Sequence, residues 1–203
     1  MKQYLERSMT YSEYIALIDR VIAECRTTGL ERTESRTSFT KLNRQRMSRL
    51  GKTILPDAEA GKDLAANRRR QLWLVLTEGW CGDAAQNIPA IEQAADLSDL
   101  IETRYILRDE NLDLMDEYLT GGARAIPKLI AIDAGTHEVL FTWGSRPAAA
   151  QKLFADRKAQ GIEKAVINEE LQRWYNADRG LSVQRELAGL VAAHQEQTAA
   201  AAN

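Results

Sequence analysis

The most constraining feature of the chain is an unbroken apolar segment, Gln71 to Thr77, which holds three leucines, a tryptophan and a valine. A strand that faces water on one side alternates apolar with polar residues, and this segment does not alternate. It therefore predicts a strand that is covered on both faces. Three arginines, Arg68 to Arg70, precede it, and we interpret them as charges that protect an aggregation-prone strand.

The segments after this strand complete an α/β pattern. Ala84, Ile88 and Ile91 recur at offsets of four and seven residues, which predicts a helix. Tyr105 to Leu107 is a second strand candidate, and a strand, a helix and a strand in this order predict a parallel crossover. A short helix is predicted from Asn111 to Leu119.

A hairpin is predicted after Pro127. Lys128 to Ile132 and Glu138 to Trp143 are strand candidates on either side of Asp133 to Thr136, whose Asp and Gly favour a turn. Hairpin strands are antiparallel, so we expect a mixed sheet. Three more helices are predicted, at Ala148 to Gln160, Ile162 to Tyr175 and Ser182 to Gln197.

The N-terminal part of the chain has the pattern of amphipathic helices. Thr10 and Glu13 form the T-x-x-E pattern of a capping box, which predicts the start of a helix. An apolar stripe at helical spacing follows the cap. Its members are Tyr14, Ile18, Val21, Ile22 and Cys25.

A second N-terminal helix is predicted from Phe39 to Leu50, in the most basic stretch of the chain. Residues 31–54 hold seven Lys and Arg against two Glu. We interpret this stretch as a solvated helix face. The alternative is a nucleic-acid patch, but such patches usually carry aromatic side chains among the basic ones, and Phe39 is the one aromatic residue here.

Overall composition excludes several classes of protein. The chain has 203 residues, with 27 Lys and Arg against 29 Asp and Glu, so its net charge of −2 predicts neither a nucleic-acid partner nor an anionic membrane. Two cysteines cannot form a disulfide framework and suit a reducing compartment. Met1 to Thr10 lacks the apolar core of a signal peptide, so a cytoplasmic location is expected.

One segment, Thr77 to Ala84, has the composition of a reactive site. It joins the carboxyl end of the buried strand to the start of a helix, where α/β sheets place reactive groups. Free N–H groups at a helix start favour the thiolate form of Cys81, whereas the charges of Asp83 and Glu78 oppose it. The net direction of the pKa shift stays open. Gly79 and Gly82 indicate an exposed turn and disfavour the alternative of a small buried cysteine.

Several motifs in order resemble the thioredoxin family. Trp80-Cys81-Gly82 lies between a strand and a helix, Pro89 follows eight residues after Cys81, and Ile126-Pro127 precedes a hairpin. The resemblance implies a three-layer α/β/α fold with a mixed sheet, and a cis Ile126–Pro127 bond beside the Cys81 sulfur. It covers residues 71–160 as the core. Residues 1–70 would be an N-terminal helical extension packed on the core, and residues 161–203 would be C-terminal helices.

The departures from that family pattern bear on function, and the larger layout is similar to a bacterial branch of thioredoxin-like proteins. Ala84 stands where the family has its second, resolving cysteine, and Asp83 replaces the proline that is common between the two cysteines. The buried acid of the preceding strand has no counterpart in Leu72 to Leu76. In the family this acid accepts the proton of the second cysteine. Without that cysteine the acid has no function, so the two losses are chemically consistent.

The resemblance implies a monothiol redox protein. Cys81 would attack or carry a mixed disulfide with a protein or with glutathione, and an external thiol would release it. No other cofactor, no metal, no nucleic acid and no membrane partner are expected. The alternatives are a non-catalytic thioredoxin-fold module that binds a protein, and peroxide sensing by Cys81. The residues expected at the active site or substrate groove are Trp80, Gly82, Asp83, Ala84, Ile126 and Pro127.

The other cysteine and the two histidines are weaker candidates for a functional site. Cys25 lies on the apolar stripe of the first helix, which predicts a buried core thiol. The alternative, a resolving thiol for Cys81, requires their Cα atoms to lie within about 7 Å. His137 and His194 lie far from the motif and lack the spacing of a zinc site.

Overall fold

The computed structural model describes residues 1–31 and 33–201, and its centre is a mixed sheet with helices around it. The sheet order is β2-β1-β3-β4. β1 pairs parallel with β2 and antiparallel with β3, and β3 pairs antiparallel with β4, so the predicted crossover and hairpin are both confirmed. The strands are β1 (Gln71–Thr77), β2 (Ile101–Leu107), β3 (Lys128–Asp133) and β4 (Val139–Gly144).

The central position of β1 explains its apolar sequence. Strands flank it on both edges, and the side chains from Trp73 to Leu76 are fully buried. The predicted bounds of this strand are confirmed at both ends. The side chains from Trp73 to Leu76 include one polar group, the indole N–H of Trp73. It donates to Gln71 Oε1 at 2.9 Å, so its burial leaves no side-chain donor unpaired.

Helices lie before, between and after the strands. Each predicted helix is present, and the predicted bounds are within a few residues except at the start of α3, where Thr33 caps a helix that begins earlier than Phe39. Two short helices, α1 and α4, were not predicted. The helices are α1 (Lys2–Glu6), α2 (Tyr11–Ala23), α3 (Glu34–Thr53), α4 (Ala58–Ala65), α5 (Gly82–Ala95), α6 (Leu112–Glu117), α7 (Ala148–Ala159), α8 (Lys164–Asp178) and α9 (Leu181–Ala201).

Helix α2 confirms its predicted cap and corrects the prediction for Cys25. Thr10 and Glu13 form the full capping box, in which the Thr10 N–H donates to Glu13 Oε2 at 2.8 Å. The helix ends at Ala23, and Cys25 follows it with a φ of 52°. The apolar stripe therefore stops before Cys25, which is exposed and not a core thiol.

The helices outside the sheet pack directly on the helix that follows β1. Both α3 and α9 contact α5, and α4 contacts α9. The contact between α4 and α9 includes a buried polar bridge, in which Gln184 Oε1 accepts from the Asp57 N–H at 2.8 Å. No helix within residues 1–31 and 33–201 is long and apolar enough to cross a membrane.

Candidate active site

The loop between β1 and α5 is held by the chain segments that precede the sheet. The Gly79 N–H donates to Thr28 Oγ1 at 2.8 Å, and the Gly79 carbonyl accepts from Asn43 Nδ2 at 3.0 Å. A Cβ atom at Gly79 would lie 3.3 Å from Thr40 Cγ2, so the loop approaches α3 too closely for a side chain to fit without movement. The N-terminal helices thus help to set the position of the reactive turn.

Cys81 is the N-cap residue of α5, and its sulfur has two polar neighbours. The Ala84 N–H donates to Sγ at 3.5 Å, and the thiol donates to the Ile126 carbonyl at 3.3 Å. The peptide bond between Ile126 and Pro127 is cis. The fold therefore brings together the Cys81 turn and the Ile126–Pro127 turn, although they lie 45 residues apart along the chain.

The environment of Cys81 opposes ionisation. Only 9% of the residue is exposed, so the expectation of an exposed cysteine was wrong. Gly82 is exposed as expected, whereas Gly79 is buried. Burial and, to a smaller extent, the negative charge of Asp83 raise the pKa of the Cys81 thiol to about 12. The backbone N–H groups at the start of α5 and the Arg146 guanidinium act in the other direction, but they are outweighed.

Asp83 belongs to a polar cluster at the mouth of the site. Its carboxylate pairs with the Arg146 guanidinium at 2.5 Å and accepts from the Tyr175 hydroxyl at 3.0 Å. Arg146 in turn lies over the Phe154 ring, 4.2 Å from its centre. Sequence reasoning did not find Arg146 or Tyr175, because one lies in a loop and the other in a helical stripe with no distinguishing motif.

Trp80 is held by two arginines. The guanidinium carbons of Arg36 and Arg108 lie 4.3 and 4.9 Å from its ring centre, in cation–π geometry. Arg36 comes from α3, so a basic residue of the predicted solvated face in fact contacts the reactive turn. Arg44 on the same helix pairs with Asp19 at 2.8 Å, which fits the predicted surface role.

Glu78 is a buried acid that hydrogen-bonds to the backbone at Asp109. It is fully buried, and its Oε1 accepts from the Asp109 N–H at 2.9 Å. Burial raises the pKa of the Glu78 carboxyl to about 7. Of the two carboxylates expected to oppose the Cys81 thiolate, Asp83 has the leading effect on the pKa of the thiol.

A cavity of about 550 Å³ opens beside the Cys81 sulfur. Trp80, Gly82 and Asp83 line it together with Cys81, so it joins most of the predicted site residues. Its other walls come from α3, α7 and α8. Chemically, the arrangement offers one thiol at the wall of the cavity, and Ala84, whose N–H faces the sulfur, supplies no second thiol.

The remaining candidate residues are separate from this cavity. Cys25 and Cys81 are both free thiols. His137 lies in the β3–β4 turn with a φ of 61°, and His194 lies on α9. Within the described ranges, no group of three or more His, Cys, Asp and Glu side chains is placed to hold a metal ion.

Comparison with solved structures supports the fold. A 1.5 Å crystal structure of a protein of unknown function from Pseudomonas aeruginosa is similar over 90% of this chain and 97% of that one, with a TM-score of 0.56 and 19% identity. The crystal structure of an HIV epitope scaffold is similar over 93% of this chain and 99% of that one, with a TM-score of 0.55 and 19% identity. At this identity the likeness concerns the fold alone. A search of curated proteins finds no match.

Comparison with protein families gives a more specific result. The family model described as thioredoxin matches residues 29–160, which is more than half of the chain. The match includes the sheet, the Cys81 turn and the cis Ile126–Pro127 bond, and it begins before α3. Together with the mixed sheet, this shows that the chain belongs to the thioredoxin family.

Proposed function

We propose that the protein is a thiol-disulfide oxidoreductase that works with one thiol, Cys81. The observation that carries the proposal is the position of the sulfur at the N-cap of α5, 3.3 Å from the Ile126 carbonyl and at the wall of an open cavity. A disulfide in that cavity would meet one nucleophile, and Ala84 offers no second thiol to close a local disulfide.

The proposed exchange uses two balanced steps. The Cys81 thiolate attacks one sulfur of a disulfide, a bond forms between them, and the other sulfur leaves as a thiolate that takes up a proton. An external thiol such as glutathione then gives up its proton and attacks the partner's sulfur in the mixed disulfide. The Cys81 thiolate leaves and takes up a proton, so the external thiol ends in a disulfide with the partner.

The neighbouring residues have distinct parts in this proposal. Trp80 flanks the incoming disulfide, and Gly82, which is exposed, leaves its approach open. The backbone at Ile126 and Pro127 pairs with an extended substrate segment, which is the strand-addition mode of recognition. Asp83 tunes the thiol through its charge.

The high pKa of Cys81 slows both steps of the exchange. Few molecules carry the thiolate at neutral pH, so attack is slow. A thiol of high pKa is also a poor leaving group, so the mixed disulfide is released slowly. The site is therefore better suited to carrying an adduct than to rapid turnover. Because release needs an external thiol, the proposal places the protein in a reducing compartment such as the cytoplasm.

The second candidate function is a non-catalytic module that binds a protein in the same groove. Burial of the Cys81 thiol, its raised pKa and the alanine at position 84 favour this candidate. In either case we propose residues 71–160 as the thioredoxin core, with residues 1–70 and 161–203 as helical additions. We also propose that the chain belongs to a bacterial branch with the Trp-Cys-Gly-Asp-Ala variant of the motif.

The test is catalysed exchange between glutathione and a small symmetrical disulfide. Cys25 is exposed and would react as well, so the assay uses a Cys25→Ser background with Cys25→Ser/Cys81→Ser as its matched control. Because attack and release are both slow, we expect the single variant to give a small acceleration of exchange and the double variant to match the uncatalysed rate. Equal rates for the two variants would reject the oxidoreductase and leave the binding module.

A further inference from the structure

The cavity beside Cys81 has a charge opposite to that of the whole chain. Its lining includes four cationic side chains and one carboxylate, Asp83. The chain as a whole has a net charge of −2, so the positive charge of this lining is a local property. The four cations are Arg36, Arg46, Arg146 and Lys164.

Two of these cations have no carboxylate partner. Arg36 pairs with Glu31, and Arg146 pairs with Asp83. Among the residues that the structure describes, neither Arg46 nor Lys164 forms an ion pair with a carboxylate. Arg46 is half-buried, and its recorded side-chain partner is the neutral Asn43 Oδ1 at 2.8 Å. Lys164 is exposed, whereas the half-buried and unpaired charge of Arg46 would be stabilised by an anion from outside the chain.

One donor atom at the same cavity also lacks a partner. The Arg146 Nε atom is buried and has no hydrogen-bond acceptor in the described part of the chain, and Arg146 lines the cavity. A buried donor without an acceptor costs free energy, so an acceptor supplied by a ligand would relieve the imbalance. This observation is independent of the charge count and points to the same kind of ligand.

The size and walls of the cavity favour a small molecule. Its volume of about 550 Å³ lies within the roughly 300–1,000 Å³ range of small-molecule sites. The walls come from α3, α5, α7 and α8. Phe39 and Phe154 add apolar surface to the lining, so the cavity also accommodates the carbon skeleton that links charged groups.

From this geometry we infer that the cavity binds a small molecule with two or more negatively charged groups, carboxylates or phosphates, held by Arg46, Arg146 and Lys164. Guanidinium groups suit both kinds of anion because their paired N–H groups match two oxygens. This inference goes beyond the proposed function, because it concerns non-covalent binding and does not require Cys81 to react. Arg46 and Lys164 come from α3 and α8, so the helices around the core build the site.

Binding would also act on the thiol. A bound anion adds negative charge beside the Cys81 sulfur, and a like charge disfavours the thiolate. We therefore expect a saturating anion to slow alkylation of Cys81 by the neutral reagent iodoacetamide. This effect connects the anion site to the thiol without any covalent step.

The test is calorimetric titration of the Cys81→Ser protein with pyrophosphate and, separately, with glutarate. We expect saturable binding of at least one of them that weakens as the salt concentration rises. In Arg46→Gln/Lys164→Gln the affinity falls by about tenfold or more, because two charged contacts are lost. The matched control, Lys41→Gln/Lys158→Gln, changes the net charge equally at exposed residues outside the cavity, and its affinity stays within about twofold.

Three outcomes would overturn the inference. One is the absence of saturable binding of either anion below about 10 mM. Another is an equal loss of affinity in the two double variants, which would indicate general charge attraction. The third is binding of an acidic peptide with no measurable binding of the small anions. Because the titration uses Cys81→Ser, failure of the oxidoreductase proposal leaves this test unaffected. Circular dichroism of each variant confirms that it is folded.

Discussion

The charge of Asp83 restrains the reactivity of Cys81, and its removal has a calculable effect. In Asp83→Asn the carboxylate that raises the pKa of Cys81 is lost. The same substitution frees Arg146, which pairs with Asp83 at 2.5 Å and whose charge favours the thiolate. Both changes act in one direction, so the pKa of Cys81 falls and its alkylation accelerates.

The size of this effect follows from the balance between ionisation and nucleophilicity. A nearby charge shifts a pKa by about 1–3 units, and Arg146 already neutralises part of Asp83, so we take a fall of about one unit. Far below its pKa, the thiolate fraction then rises about tenfold. A thiolate of lower pKa is less nucleophilic, with a Brønsted coefficient of about 0.4–0.5, so the net gain in rate is about threefold.

The assay measures iodoacetamide alkylation of Cys81 from pH 7 to pH 10 in the Cys25→Ser background. We expect the rate to rise with pH without a plateau, since the pKa of the thiol is about 12, and to be about threefold higher in Asp83→Asn at each pH. Glu78→Gln is the matched control, because it removes a buried carboxylate three residues before Cys81 whose charge is not among the leading influences on the pKa of the thiol. An unchanged or slower rate in Asp83→Asn would refute the reasoning.

Three further predictions concern the same turn. Glu78→Gln stabilises the protein relative to the wild type by an amount that grows as the pH rises from about 4.5 to 7 and reaches at most about 3 kcal/mol. The reason is that ionisation of the Glu78 carboxyl, whose pKa is raised in the folded state, destabilises the wild-type protein over that range. Urea unfolding at pH 5 and pH 8 measures the difference, and an equal effect of the substitution at the two pH values would contradict it. In Ala84→Cys, we expect the new thiol to form a disulfide with Cys81 under mild oxidation, seen as the loss of two titratable thiols. If no disulfide formed, the two sulfurs would not be placed for a disulfide. Asn43→Leu leaves the Gly79 carbonyl unpaired and costs about 1–3 kcal/mol in urea unfolding; no loss would mean that water replaces the amide.

The sequence predicted all four strands because the relevant signals are local, although β2 begins at Ile101 and not at the predicted Tyr105. The apolar run from Gln71 to Thr77 and the capping box at Thr10 each predict an element from neighbouring residues, and both predictions are confirmed. The prediction for Cys25 was wrong for a local reason as well. The helix ends two residues earlier than the stripe, and periodicity alone does not mark that end.

The site was harder to predict because it is built from distant parts of the chain. The contact of Cys81 with Ile126 was expected from family resemblance and not from spacing. The direction of the Cys81 pKa shift depends on burial by other elements, which the motif itself does not encode. Arg46 and Lys164 meet at one cavity only because α3 and α8 both pack near the start of α5, and no motif in either helix reports that placement. The domain boundaries at residues 70 and 160 stay predictions.

The central claim is that Cys81 forms and releases a mixed disulfide, and intact-mass spectrometry tests it most directly. The Cys25→Ser protein is incubated with oxidised glutathione at increasing pH and then with an excess of reduced glutathione. The account predicts one glutathione adduct that forms slowly, faster at higher pH, and is removed by the reduced thiol, with none on Cys25→Ser/Cys81→Ser. A folded Cys25→Ser protein that gains no adduct at any pH would contradict the account.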